Sequence, residues 1–201
     1  MNTVKIWNDD PSDRQVDEIA AFLQDGKLAV IPTDTMYAIV CNALDSKAIE
    51  RLCRIKGINP DKTNLSIICS DISMASEYAR INDAGFRILK DQTPGPYTIL
   101  FKSASSLPKA FKGRKVVGIR IPDSNIARRI ARRMGNPLLT TSIDYEDEDY
   151  GTDPGLIAEA YENQIDLMVE GERSSLTLST IIDCTGDSPE IIREGGPLLS
   201  D

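Results

Sequence analysis

Val116-Val117-Gly118-Ile119-Arg120-Ile121-Pro122 reads as an apolar β-strand with a glycine and a guanidinium set into it. Apolar residues bracket Gly118 and Arg120, and an arginine in such a strand must find an anion or a carboxylate. The strand is therefore half of a structural ion pair or one wall of an anion site. Pro122 stops it, because proline has no N–H for the ladder. Ser124 then caps a helix that ends at Gly135. At about 100° per residue, Ile126, Ala127, Ile130, Ala131 and Met134 share one face, and Arg128, Arg129, Arg132 and Arg133 share the other. Leu138 to Ser142 is the next strand, and Thr140, Thr141 and Ser142 put three consecutive hydroxyls at its end. Strand, helix and strand thus follow one another with no linker between them.

The same alternation extends in both directions. Upstream, Val4-Lys5-Ile6 is a short strand. Ser12 and Gln15 form a capping box for a helix carrying Val16, Ile19, Ala20 and Leu23, which Gly26 ends. Leu28 to Ile31 and Tyr37 to Cys41 are strands around Pro32-Thr33-Asp34-Thr35, whose hydroxyls and carboxylate suit a local turn or a polar ligand. Ser46 opens a helix running to Lys56-Gly57. Leu65 to Cys69 is a strand, followed by helices from Ser73 to Ala79 and from Asn82 to Lys90. Tyr97 to Lys102 is the strand before a basic loop containing Lys109, Lys112, Arg114 and Lys115. Downstream, Asp144 to Asp149 is a solvated acidic loop, and Asp153-Pro154 starts a helix. Ile165 to Val169, Thr180 to Asp183 and Glu190 to Arg193 are the last strands. Interleaved elements without a repeat argue for one α/β domain over residues 1–201. Strands outnumber the crossover helices, so the expectation is a twisted mixed sheet with helices on its faces.

Composition narrows the chemistry. The 201 residues carry 23 Lys+Arg against 31 Asp+Glu, a net charge of −8, with 41% hydrophobic and 27% charged residues. That balance belongs to a globular chain. No apolar run approaches the roughly 18 residues of a membrane span, and the start lacks the pattern of an export signal. A cytoplasmic protein with no membrane partner is the expectation. With no histidine, Ser-His-Asp and Cys-His catalysis and His-based zinc sites are excluded. Cys41, Cys53, Cys69 and Cys184 show no C-x-x-C spacing and read as free core thiols, with no fixed metal site. Strand ends with hydroxyls, one Lys and two Args, and no nucleophile–base pair, fit a phosphorylated anion better than acyl hydrolysis. Neither G-x-x-x-x-G-K nor G-x-G-x-x-G occurs.

The order of six segments resembles the YrdC family, over about residues 4 to 196. They are Pro32 to Tyr37, Arg54 to Lys56, Thr93-Pro94-Gly95-Pro96-Tyr97-Thr98, Val117 to Pro122, Pro137 to Ser142, and Ser179 to Gly195. Cys53-Arg54-Ile55 and Leu65 to Asp71 are similar to its YciO-type branch. The resemblance implies a YrdC-like fold with a concave, positively charged groove. It also implies threonylcarbamoyl-AMP synthase activity, in which L-threonine, bicarbonate and ATP, with Mg²⁺ as its substrate complex, give threonylcarbamoyl-AMP and pyrophosphate. The product would pass to a tRNA threonylcarbamoyl transferase for modification of ANN-decoding tRNAs. By residue match, Lys56, Thr140, Ser142 and Arg193 would hold ATP, and Thr35, Thr98 and Arg120 would meet threonine.

Three positions depart from the family pattern. Ile58 stands where the synthases carry the Arg of K-x-R, the strand from Leu65 lacks their histidine, and S-A-N has become Ser142-Ile143-Asp144. Each lost charged hydrogen bond removes about 1.5–3 kcal/mol, so weakened chemistry is implied. The alternative reading is a non-catalytic module for tRNA or double-stranded RNA. In it, Arg128, Arg129, Arg132 and Arg133 would contact phosphates, or else form a solvated outer face.

Overall fold

Alternate residues of one strand go to opposite faces of a sheet, and three short strands use this to build two cores at once. In β2 (Ala29–Ile31), Val30 enters one apolar cluster while Ala29 and Ile31 enter the other. In β3 (Ala38–Asn42), Ile39 and Cys41 take the first face, and Ala38 and Val40 the second. In β8 (Leu138–Ser142), Leu139 and Leu138 divide in the same way. The computed structural model describes residues 1–59, 63, 65–107, 115–145, 147–172 and 175–195. Lys109, Lys112 and Arg114 of the expected basic loop lie outside them.

The described strands form one mixed sheet. The others are β1 (Asn2–Lys5), β4 (Ser66–Ile68), β5 (Ala79–Arg80), β6 (Tyr97–Ser103), β7 (Val116–Arg120), β9 (Leu167–Glu170), β10 (Thr180–Asp183) and β11 (Glu190–Arg193). Their order is β1-β9-β2-β3-β8-β4-β7-β6-β10-β11, with β5 beside β6. Parallel pairs (β1/β9, β2/β9, β4/β7, β6/β10) mix with antiparallel ones, as the excess of strands over helices requires.

Helices cover both faces. On the first face lie α2 (Ser46–Ile55), α3 (Ile72–Tyr78), α4 (Asp83–Gln92) and α7 (Pro154–Tyr161), through residues such as Ile49, Leu52, Ala75, Leu89 and Ile157. On the second lie α1 (Asp13–Gln24) and α5 (Asn125–Met134), through Ile19, Leu23, Ile126 and Ile130. The capping box at Ser12 and Gln15, the Ser124 cap and the left-handed Gly135 (φ 71°) all form as the sequence indicates. All four cysteines are free and buried. Burial raises their thiol pKa values, that of Cys184 to about 11.

Three expectations need correction. The helix from Ser73 was expected to include Ala79, but Ala79 leaves it to pair with Ser103 as part of β5. Ile165 was expected in a strand, but its N–H bonds Tyr161 O and closes the turn after α7. The acidic segment is not all loop. Asp147 caps a short helix, α6 (Glu148–Thr152), and Asp144 is held by Lys56.

Candidate functional site

The second sheet face changes character halfway across. Near α1 and α5 it carries Val40, Leu138 and Ile68. Farther along the strands the same face turns to hydroxyls, glycine and arginine, and the strand register shows how. Ser66 of β4 lies opposite Thr140 of β8 on one side and Gly118 of β7 on the other. Thr98 of β6 lies opposite Ile181 of β10, which lies opposite Arg193 of β11. Ser66, Thr98, Thr140, Ile181 and Arg193, with Arg120, Ser142, Ser179 and Ile58, line a cavity of about 360 Å³. Gly118 lets its neighbours close in on it, since a Cβ there would sit 2.5 Å from Ser66 Oγ and 3.0 Å from Thr98 Cγ2. A neighbouring lobe of about 450 Å³ adds Met36, Lys56, Ile143, Asp144, Tyr145 and Leu178, and shares Thr141, Ser142 and Arg193 with the first.

Arg120 is buried, and its charge has a dedicated partner. Its Nη2 donates to Asp34 Oδ1 at 2.9 Å and to Thr35 Oγ1 at 3.0 Å. Asp34 Oδ2 also accepts the Asp123 N–H at 2.9 Å. Pro32 to Thr35 is thus both a turn and the support of this guanidinium: Thr33 Oγ1 accepts the Thr35 N–H and donates to Met36 O. Burial pulls the Arg120 pKa down, the Asp34 charge opposes this, and Arg193 adds repulsion. Arg120 Nε is buried with no hydrogen-bond partner among the described residues, and so is Thr140 Oγ1. Such atoms normally find partners, and both residues line the hydroxyl cavity.

Arg193 is half-buried and anchored through Ser179. Its Nε and Nη2 donate to Ser179 O at 3.1 and 2.8 Å, and Nη2 reaches Ser179 Oγ at 3.0 Å. Ser179 Oγ also lies 2.9 Å from Thr98 Oγ1. Gly195 follows with its N–H on Thr180 Oγ1, and a Cβ at Gly195 would collide with Leu178 O and Ser179 O. Lys56 is the C-cap of α2, and its Nζ meets Asp144 Oδ1 at 2.5 Å.

Lys56, Thr98, Arg120, Thr140, Ser142 and Arg193 are therefore brought together around one two-lobed depression. Thr35 is not part of either wall; it lies buried behind Arg120 as a hydrogen-bond acceptor. The α5 arginines stand apart from the depression. Arg129 reaches Asp13 at 2.8 Å and Arg133 pairs with Asp17, both on α1. Arg128 bonds Ser124 O and Asn125, while Arg132 lies 3.8 Å from Asp71. The stripe is thus divided: two of its four charges are committed to α1. Ser66, Ser179 and Asp144 join the site without a signal of their own in the sequence, and the Asp34 carboxylate, open there to a turn or a polar ligand, is bound to Arg120. Gly118 and Arg120, alternating with apolar residues in β7, are the signal in the sequence for the face that carries the cavity.

Among the described residues, no cluster of three or more His, Cys, Asp or Glu is arranged to hold a metal ion. No described helix is long and apolar enough to cross a membrane. The chain is 34% identical over 193 residues to the uncharacterized protein YciO of Escherichia coli, covering 94% of this chain and 93% of that one. The crystal structure of that protein superposes with a TM-score of 0.89 over 98% of this chain and 97% of the other. The threonylcarbamoyl-AMP synthase of Pyrococcus abyssi is 27% identical over 179 residues, covering 88% of this chain but only 53% of its own length. The crystal structure of P. abyssi Sua5 complexed with L-threonine matches with a TM-score of 0.87 at 25% identity, over 98% of this chain and 58% of that chain. The family model for Sua5, YciO and YrdC proteins, described as "telomere recombination", matches residues 21–195, and the chain belongs to that family.

Proposed function

We propose that the two-lobed depression binds an adenine nucleotide and a small amino acid, and that the chain carries threonylcarbamoyl-AMP synthase-like chemistry. The observation that carries this reading is the gathering of Lys56, Arg120 and Arg193 with the hydroxyl residues Thr98, Thr140 and Ser142 around one depression. The Arg120 guanidinium and the Thr98 hydroxyl at the cavity wall suit the carboxylate of L-threonine, and the related Sua5 of P. abyssi has been crystallised with that amino acid. Lys56, Ser142 and Arg193 in the adjoining lobe suit the phosphates of ATP, which brings its own Mg²⁺. Bicarbonate would complete the substrates, and the adenylate would pass to a tRNA threonylcarbamoyl transferase in the cytoplasm.

The chemistry asked of such a site is modest. The threonine amine adds to the carbon of bicarbonate and water leaves, giving a carbamate. One of its oxygens attacks the α-phosphorus, the bond to the oxygen bridging to the β-phosphate breaks, and pyrophosphate leaves with the electron pair. Alignment and charge neutralisation supply most of what this transfer needs, without a nucleophile–base pair. Ile58, at the wall of the hydroxyl cavity, supplies no hydrogen bond where the family pattern has an arginine, and this favours a slow reaction. The test is pyrophosphate release and adenylate formation with ATP·Mg²⁺ and bicarbonate, with and without L-threonine. Threonine-dependent release that falls at least about tenfold in Arg193→Ala supports the reading. Calorimetry that detects no nucleotide at millimolar concentration rejects it.

A further inference from the structure

The two lobes hold three cationic side chains among the described residues, Lys56, Arg120 and Arg193. Arg120 is paired with Asp34 and Lys56 with Asp144. Arg193 has no carboxylate partner among the described residues; it is held by the Ser179 carbonyl and hydroxyl. The depression therefore offers a phosphate about one uncommitted positive charge, although it contains three.

The two ion pairs differ in kind. Asp34 is buried with Arg120, at 7% and 6% side-chain exposure. Asp144 is 76% exposed while the Lys56 it holds is only 9% exposed. An exposed carboxylate gives up little by returning to water, so this pair is the one a ligand can open. Its position is nonetheless built. The Asp144 N–H donates to Tyr161 Oη at 2.9 Å, Tyr161 is buried against the core, and the neighbouring Ile143 N–H donates to Tyr37 O at 3.1 Å. The backbone is fixed on both sides of the step, and it delivers the carboxylate to Lys56.

From this arrangement, and resting on the nucleotide reading above, we infer that Asp144 is a specificity-determining residue that favours a singly phosphorylated adenylate over a polyphosphate. A monophosphate needs only the uncommitted charge and the hydroxyls around Arg193 and Ser142. A triphosphate carries more charge than one cation answers and must draw on Lys56, displacing Asp144 and then lying beside its carboxylate.

Calorimetry with AMP and with ATP·Mg²⁺ tests this on the full chain, comparing Asp144→Asn with Asp149→Asn. Asp149 lies on the same acidic segment, so its substitution changes the net charge equally. Asp144→Asn is expected to tighten ATP by about five- to tenfold and AMP by less than about twofold. Asp149→Asn is expected to leave the ratio of the two affinities where it was. In a Lys56→Met background the Asp144→Asn gain should vanish. An unchanged ATP-to-AMP ratio in Asp144→Asn, or an equal change in Asp149→Asn, overturns the inference while leaving nucleotide binding intact. If none of the proteins binds either nucleotide, the nucleotide reading itself falls, and the inference with it.

Discussion

Replacing Asp34 with alanine removes the only carboxylate that the described residues place against the Arg120 guanidinium. The two side chains are 7% and 6% exposed and 2.9 Å apart. Opposite charges at that separation attract by about 6 kcal/mol at an effective dielectric near 20, against about 1.4 kcal/mol in bulk water. Desolvation offsets much of this, and breaking such a buried pair from one side costs about 3–5 kcal/mol because an uncompensated charge stays behind. The Asp123 N–H loses its acceptor as well. For 201 residues the unfolding entropy is about 0.4 kcal/mol/K, so the melting temperature should fall by about 7–12 °C. A double-mutant cycle with Arg120→Met makes the reasoning specific. Each single variant should be strongly destabilised, and the double variant should recover at least about 2 kcal/mol relative to the sum, since no lone charge remains. Thermal and urea unfolding of the four proteins supply the numbers. An additive cycle, or an Asp34→Ala cost below about 1 kcal/mol, would show that Arg120 does not depend on Asp34, and that the pair is not what fixes the guanidinium at the cavity wall.

Two other outcomes are expected. Ile58→Arg should raise pyrophosphate release by about tenfold or less, within what one charged hydrogen bond supplies; a variant that folds normally but makes no more adenylate would remove Ile58 as the missing clamp. Because Arg129 and Arg133 are committed to α1, any phosphate-dependent affinity for tRNA should reside in Arg128 and Arg132. Reversing those two to Glu should then flatten the salt dependence by about two counterions, and an unchanged slope in a filter-binding titration would return them to the solvated surface.

Much of the fold was legible because its signals are local. A capping box, a serine cap, a left-handed glycine and a Pro-terminated strand each act within a few residues, and α1, α5 and β7 fall close to where those signals place them. The errors came where a distant partner decides. Ala79 has helix-forming chemistry, yet it pairs with Ser103 of β6. Asp34 could have closed its own turn, yet its charge belongs to Arg120, 86 positions away. Ser66 faces both Gly118 and Thr140 only because β4 inserts between β7 and β8, and nothing local to Ser66 encodes that insertion. The cavity wall is therefore a product of register, which no single segment of the sequence contains.

Register also explains why the site can be polar without undoing the core. One sheet face carries both Ile68 and, two residues earlier, Ser66, so the change from apolar to hydroxyl happens along the strand rather than between elements. Ile68 and Leu138 close the cluster under α1 and α5, and Ser66 and Thr140, opposite each other, begin the cavity wall. The helix that anchors one side of that border, α5, is itself tied to α1 by Arg129 and Arg133, so charges on its outer face hold the two helices together. The depression is then left with cations whose partners decide what it can attract. Asp34 fixes Arg120 from beneath, and Asp144 occupies Lys56 from the solvent side. Relative to the K-x-R and S-A-N pattern, Ile58 withdraws one positive charge and Asp144 adds one negative charge, and both changes weaken the same attraction for a polyphosphate. Both differences lower the positive charge of the depression, the direction in which the Asp144 proposal places its ligand preference.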